Sequence, residues 1–232
     1  MIKIGVVILA RYNSSRLPGK ALMCIQEKPV LLYIIERLTQ VVPMEDILIA
    51  TSIEESDNFI EEFAKDHNIS CFRGSLNNVA DRFFLAALSK RWDYVTRING
   101  DNIFVDTNLL RRMIGIALGG EYDFISNVKD RTFPKGMSIE IIKVNFYKRV
   151  LPFILNDDDY KEHVTLYLYH NELGIYKFIK NKEVPEAGGI QMALDTPDDF
   201  NRSEVIVKHF IKPHWFYNLS EIHEIYIRLE NE

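Results

Sequence analysis

Cationic and hydroxyl side chains are concentrated in one short polar stretch, Ala10-Arg11-Tyr12-Asn13-Ser14-Ser15-Arg16-Leu17-Pro18-Gly19-Lys20. It follows the apolar run Ile4 to Leu9, which reads as a strand, so the stretch leaves that strand at its C-terminal end. Ligands bind at that edge in open α/β sheets. Arg11, Arg16 and Lys20, with the hydroxyls of Ser14 and Ser15 and a flexible Gly19, have the charge and donors to surround a triphosphate and neutralise a departing pyrophosphate. A solvated basic loop is the plainer alternative, and the position after the strand favours the phosphate clamp. Ala21 stands where a Walker A loop requires Ser or Thr, and no GxGxxG occurs, so the kinase-like and dinucleotide-binding classes lose their main support.

A second constellation is Asn99-Gly100-Asp101, after the strand-like run Tyr94 to Ile98. Mg²⁺ takes one or two protein carboxylates and completes its shell with water and substrate phosphate oxygens. Asp101 is the ligand candidate. Asp106, ahead of Thr107 and an apolar-faced helix, is better read as a helix cap. Asp195, in Ala193-Leu194-Asp195-Thr196-Pro197, offers a second carboxylate, with helix capping as its alternative. If both open onto the edge carrying the basic loop, one metal reaches both carboxylates and an α-phosphate. Arg73 and Ser75, after another strand end, are candidates for the base or ribose. Arg82 is ranked low, as a local ion-pair partner. Ala10 and Asn99, at two strand mouths, complete the set expected to face the nucleotide. Lys135, Gly136, Ser138 and Glu140 surround a turn entering a strand, and Lys161-Glu162-His163 opens a helical pattern; Lys135, Glu140 and His163 are the candidates for an acceptor.

The elements that must position these residues alternate along the first half. Strands are expected at Ile4 to Leu9, Ile47 to Thr51, Ile69 to Phe72 and Tyr94 to Ile98. Helices are expected at Val30 to Val41, Asn58 to Ala64, Val79 to Leu88 and Asn108 to Leu118. Such alternation marks a parallel sheet with crossover helices. After Asp123 come strand-like Phe124 to Ser126 and Ser138 to Val144, helical Asn145 to Leu155 and Tyr160 to His170, then strands at Ile175 to Ile179 and Gln191 to Leu194. Helices follow Thr196 and Ser220. Thr196-Pro197 has a capping hydroxyl, proline at the first helical position and Asp198 and Asp199 in the first turn. The expected fold is a single α/β domain over 1–232, with 124–190 carrying acceptor contacts and a dimer surface.

Bulk properties agree with a packed globular core. The chain has 232 residues, 47% hydrophobic and 26% charged, with a formal net charge of -5. That balance argues against a general nucleic-acid binder, so any phosphate binding must be local. Cys24 and Cys71 show no CxxC spacing and are read as reduced, buried thiols. No apolar run reaches bilayer length and no leader pattern opens the chain, so no membrane partner is expected and the cytoplasm is the expected location. The sequons at Asn13 and Asn218 then carry no meaning.

The chain resembles the cytidylyltransferases of the spore-coat polysaccharide and CMP-Kdo synthetase group, which also includes the acylneuraminate enzymes. The likeness spans nearly the full length: ARYNSSRLPGKAL, similar to the family's ARxxSxRLPGKxL opening, then IATS, FRGS, RINGD, FPKGMSIEI, KEHVT and ALDTPDDF. It implies a Rossmann-like nucleotide-diphosphosugar transferase fold, CTP as donor, and Mg²⁺ on Asp101 and Asp195. It also implies triphosphate contacts from Arg11, Arg16 and Lys20, and a homodimer. The expected reaction moves CMP to a small acidic sugar. Departures at Asn102-Ile103-Phe104, at Asn77-Asn78 and at Ser138 leave the acceptor's identity open. A sugar-1-phosphate nucleotidyltransferase using another NTP and a glycosyltransferase are the alternatives, though the latter's DxD motif is matched only by Asp157-Asp158-Asp159, which reads as a solvated turn.

Overall fold

The run IGVVIL forms β1 (Ile4–Leu9), whose side chains alternate between two helix-covered faces. Val6 and Ile8 join one core layer and Val7 the other, as expected of a strand in the middle of a sheet buried on both sides. The computed structural model describes residues 1–231. A short hairpin, β2 (Cys24–Ile25) and β3 (Lys28–Pro29), leads into α1 (Val30–Leu38). The alternation continues through β4 (Ile47–Ser52), α2 (Asn58–Asp66), β5 (Ser70–Gly74), α3 (Val79–Ser89), β6 (Tyr94–Asn99) and α4 (Thr107–Leu118). Next come β7 (Phe124–Ser126), β8 (Glu140–Lys143), α5 (Val144–Ile154), α6 (Asp158–His163), α7 (Leu166–His170) and β9 (Tyr176–Phe178), then α8 (Pro197–Lys208) and α9 (Leu219–Glu230).

Among the described residues these strands make one seven-stranded sheet in the order β5-β4-β1-β6-β8-β7-β9. β8 alone runs antiparallel to its neighbours β6 and β7. Helices α1, α2, α4, α8 and α9 pack on one face, and α3 and α5 on the other. The mostly parallel, doubly covered sheet is the expected Rossmann-like class. No helix among the described residues is long and apolar enough to cross a membrane.

Several expectations are corrected. Gln191 to Leu194 forms no ladder strand: only Gln191 bridges, to Lys135. The backbone of Leu194 instead donates to the Asp101 carbonyl at 3.2 Å, which ties Asp195 to the end of β6 directly. The segment Tyr160 to His170 is two short helices, because Val164 between them adopts φ 53° and ψ -59°. Cys24 is exposed and Cys71 half-buried, so neither is a core thiol. Burial and the neighbouring carboxylate of Glu61 push the Cys71 thiol up to about 11. The capping expectations hold. Asp106 accepts from the Leu109 amide at 2.8 Å, and Thr196 and Asp199 form a reciprocal capping box on α8.

Candidate active site

The loop after β1 is folded onto itself. The Gly19 amide donates to the Tyr12 carbonyl at 2.7 Å, and Gly19 sits at φ +73°, where a side chain would be strained. Asp57, buried, anchors the loop from outside, accepting from the Tyr12 amide at 2.6 Å while also holding the Ser52 amide at 2.8 Å. Burial works to raise the Asp57 carboxyl, but the hydrogen bonds from Ser52 and Tyr12 outweigh it and hold the group below the usual carboxylate range. At the neighbouring strand end the Gly100 amide donates to the Leu9 carbonyl at 2.8 Å. A Cβ on Gly100 would stand 2.8 Å from the Ala10 Cβ, so the two strand mouths approach this closely only with glycine there.

This packing delivers Lys20 to two carboxylates. Its Nζ lies 2.8 Å from Asp101 Oδ2 and 3.2 Å from Asp195 Oδ1. Arg16 Nη2 reaches the same Asp195 oxygen at 3.0 Å, and Arg11 pairs with Glu162 at 3.3 Å. The Arg11 and Arg16 side chains keep 40% and 64% of their exposure, so their pairs are worth about 0–1 kcal/mol and exchange readily for a phosphate. Around them a cleft of about 220 Å³ is lined by five guanidinium or ammonium groups against three carboxylates, in a chain that is acidic overall. Local positive charge of this kind suits a polyanion.

A larger cavity of about 690 Å³ adjoins it, lined among others by Lys135, Ser138, Glu140, Thr165 and Tyr169. Gly136 makes this wall possible: its φ is +91°, and a Cβ there would meet the Ala193 amide nitrogen at 2.5 Å. The two cavities share Arg97, Asn99, Asp101, His163 and Asp195, so the carboxylate pair stands where they meet.

The expected site residues divide accordingly. Ala10, Arg11, Ser15, Arg16, Lys20, Asn99, Asp101 and Asp195 gather at the smaller cleft, while Lys135 and His163 line the larger cavity. Arg73 and Ser75 line neither. The Arg73 guanidinium is consumed by the chain itself, donating to the Ser52 and Glu54 carbonyls at 2.9 and 2.7 Å and pairing with Glu61 at 2.7 Å. Ser75 caps the turn to α3 through the Asn78 amide at 3.1 Å. Glu140 is 2% exposed and both its oxygens are taken by protein donors, so it is a wall residue and not a free contact. Arg97, not singled out from the sequence, lines both cavities, and Arg82, ranked low there as a local partner, lines the smaller cleft. The signal for Arg97 was an arginine within the strand that ends at the Asn99-Gly100-Asp101 mouth. Arg82 is 3% exposed, donates to the Ser75 carbonyl at 2.6 Å and leaves Nε without a partner at the cleft wall.

Two features bear on a metal. Asp101 Oδ1 is buried with no hydrogen-bond partner, and Asp101 and Asp195 already share one cation. No group of three or more acidic, His or Cys ligands occurs among the described residues. A hard ion that draws the rest of its shell from phosphates and water fits a carboxylate pair of this kind.

Comparison with known proteins identifies the family. A sequence model of the family described as Cytidylyltransferase matches residues 5–204. The spore coat polysaccharide biosynthesis protein SpsF of Bacillus subtilis is 31% identical over 86% of this chain and 84% of its own length. A 3-deoxy-manno-octulosonate cytidylyltransferase of Hydrogenovibrio crunogenus is 27% identical over 77% of this chain and 75% of its own. The solved structure of a cytidylyltransferase from Leptospira borgpetersenii serovar Hardjo-bovis superposes with a TM-score of 0.91 at 27% identity, covering 100% of this chain and 96% of that one.

Proposed function

Since the chain belongs to the cytidylyltransferase family, we propose that it transfers CMP from CTP to a small acidic sugar of the 2-keto-3-deoxy or nonulosonic type, for a surface polysaccharide. The observation that carries this reading is the meeting of a cationic cleft and a roomier cavity at Asp101, Asp195 and Lys20. The acceptor's anomeric hydroxyl attacks the α-phosphorus of CTP. One P–O bond forms, the bond to the β-phosphate breaks, the hydroxyl proton passes to water, and pyrophosphate leaves.

Arg11, Arg16 and Lys20 hold the triphosphate and absorb the charge on the leaving group, a term commonly worth 10²-fold or more in rate. Asp101 and Asp195 are the residues that would hold Mg²⁺, which supplies further neutralisation of phosphate charge when bound. Fixed placement of both substrates at the seam contributes the rest. We further read the chain as a cytoplasmic homodimer, for which the exposed Phe153, Leu173 and Ile175 within 124–190 offer apolar surface.

Mass spectrometry of the product tests the reaction type. Incubation with CTP, Mg²⁺ and a panel of 2-keto-3-deoxy sugar acids is expected to yield a CMP-linked sugar. A diphosphate-linked product formed only from a sugar 1-phosphate would replace this reading with a sugar-1-phosphate nucleotidyltransferase.

A further inference from the structure

Arg97 and Glu140 are direct cross-strand partners in the antiparallel pair of β6 and β8. Glu140 accepts from Arg97 Nη1 through Oε2, and through Oε1 from the hydroxyls of Thr165 at 2.9 Å and Tyr169 at 2.5 Å. With its oxygens filled and 2% exposure, Glu140 touches no ligand. Arg97 is different. Among the described residues its guanidinium makes only the Glu140 bond; Nε is buried without a partner, and the side chain keeps 16% exposure, which must lie on its other atoms. It lines both cavities, beside Asp101.

The chain is bent to support this pair. Val164, fully buried, takes φ 53° and ψ -59°, and the Thr165 amide closes onto the His163 carbonyl at 2.5 Å, the geometry of a γ-turn. A β-branched residue is strained in that region and persists there only when its surroundings enforce it. Its effect is to set His163 toward the seam and Thr165 against Glu140.

We propose that Arg97 makes the ionic contact to the acceptor's carboxylate, with Glu140, Thr165 and Tyr169 as the positioning residues that hold its guanidinium at the seam. This rests on the acidic-acceptor reading above. In a 2-keto sugar acid the carboxylate sits on the same carbon as the attacking hydroxyl. The cation that reads it must therefore stand where the cavities meet; of the arginines and lysines that line them, Arg97 borders both, while Lys129, Arg131 and Lys135 border only the larger one.

A cycle between residue and substrate tests the assignment. The probes are 3-deoxy-manno-octulosonate, N-acetylneuraminate and their carboxamides, measured as kcat/KM with wild type, Arg97→Met, Arg97→Lys and Glu140→Gln. Wild type is expected to favour acid over amide by about 100-fold, since a site built to pair a group rejects the analogue lacking it. Arg97→Met should bring the two within about 3-fold of each other by losing the acid, and the loss in kcat/KM for the acid should exceed any loss in CTP affinity at least about tenfold, which separates the acceptor contact from the general charge of the cleft. Arg97→Lys should keep part of the preference, and Glu140→Gln should raise the acceptor KM more than it lowers kcat. An Arg97→Met enzyme that still prefers the acid by 100-fold overturns the proposal and leaves the acidic-acceptor reading standing. Wild type that uses only neutral sugars or sugar phosphates overturns both, and is recognised from the wild-type data alone.

Discussion

The Lys20 ammonium bridges Asp101 and Asp195, residues 81 and 175 positions further along the chain, at 2.8 and 3.2 Å. It therefore supplies positive charge to this carboxylate pair. A divalent ion entering the same pair must compete with Lys20, whereas triphosphate oxygens give Lys20 somewhere else to go. Metal and nucleotide should then bind with positive coupling, which is reciprocal by linkage.

Titration of Mn²⁺ into the protein checks this without turnover. Affinity is expected to rise roughly 5- to 150-fold in the presence of a non-hydrolysable CTP analogue. Lys20→Met should tighten Mn²⁺ binding to the nucleotide-free protein and shrink the coupling. Unchanged metal affinity in that variant would refute the competition.

Arg73 provides a test of placement. Its donors join the end of β4 to α2 and lie outside both cavities. Arg73→Ala is expected to cost about 1–3 kcal/mol of stability through the carbonyls it leaves unpaired, with the KM for CTP unchanged within error. A rise in that KM of tenfold or more, at full folding, would return Arg73 to the nucleotide site.

Arg37 is fully buried, with Nη1 and Nη2 donating to the carbonyls of Val105, Tyr217 and His214 at 3.2, 3.1 and 2.6 Å. It joins α1 to the segment before α9, and burial lowers its pKa to about 10 despite the opposing carboxylate of Asp106. Arg37→Met should destabilise the fold by about 3 kcal/mol or more, because the buried carbonyls of Val105 and Tyr217 lose their donor and that of His214 keeps only the Tyr217 amide. Chemical denaturation reads the change; a loss below about 1 kcal/mol would show that water replaces the guanidinium.

His214 gives a pH dependence of definite sign. Burial is the main cause that lowers its pKa to about 4, against the upward pull of its hydrogen bond to Glu36 at 2.6 Å. Nδ1 is buried without a partner, so a proton there would find no acceptor. Between pH 6.5 and 4 the unfolded chain takes up this proton and the folded chain does not, so stability is complete above about pH 6.5 and falls with acidification. For Glu36, burial works to raise the carboxyl, but the bonds from His214 and Lys28 hold it below its ordinary value, which adds a loss of the same sign at lower pH. Thermal unfolding from pH 7.5 to 4 should show a declining midpoint, with the slope between pH 6.5 and 5 reduced in His214→Gln. A flat or rising midpoint in the wild type over that interval would contradict the account.

The fold and the basic loop were legible because local patterns carried them: β-branched runs alternating with amphipathic helices, and a polar loop at a strand mouth. The capping of α8 was legible for the same reason, as Thr196, Pro197 and Asp199 act within one turn. What escaped depends on contacts distant in sequence. Arg73 has the composition of a ligand residue, and only the folded chain shows that Ser52, Glu54 and Glu61 consume it. Glu140 looked like an acceptor contact because its donors lie far from it in sequence, Arg97 in β6 and Thr165 and Tyr169 at the start of α7 and within it. The break at Val164 runs against helical periodicity and is imposed by tertiary packing, so no propensity argument finds it.

Pyrophosphate release tests the central claim most directly, measured with each of the four NTPs, Mg²⁺ and the panel of sugar acids, for wild type and Asp101→Asn side by side. The account predicts release with CTP and an acidic sugar, and a loss of about 10²- to 10³-fold in Asp101→Asn with the fold intact. Release only with another NTP and a sugar phosphate, or near-normal turnover of Asp101→Asn at saturating Mg²⁺, would contradict it.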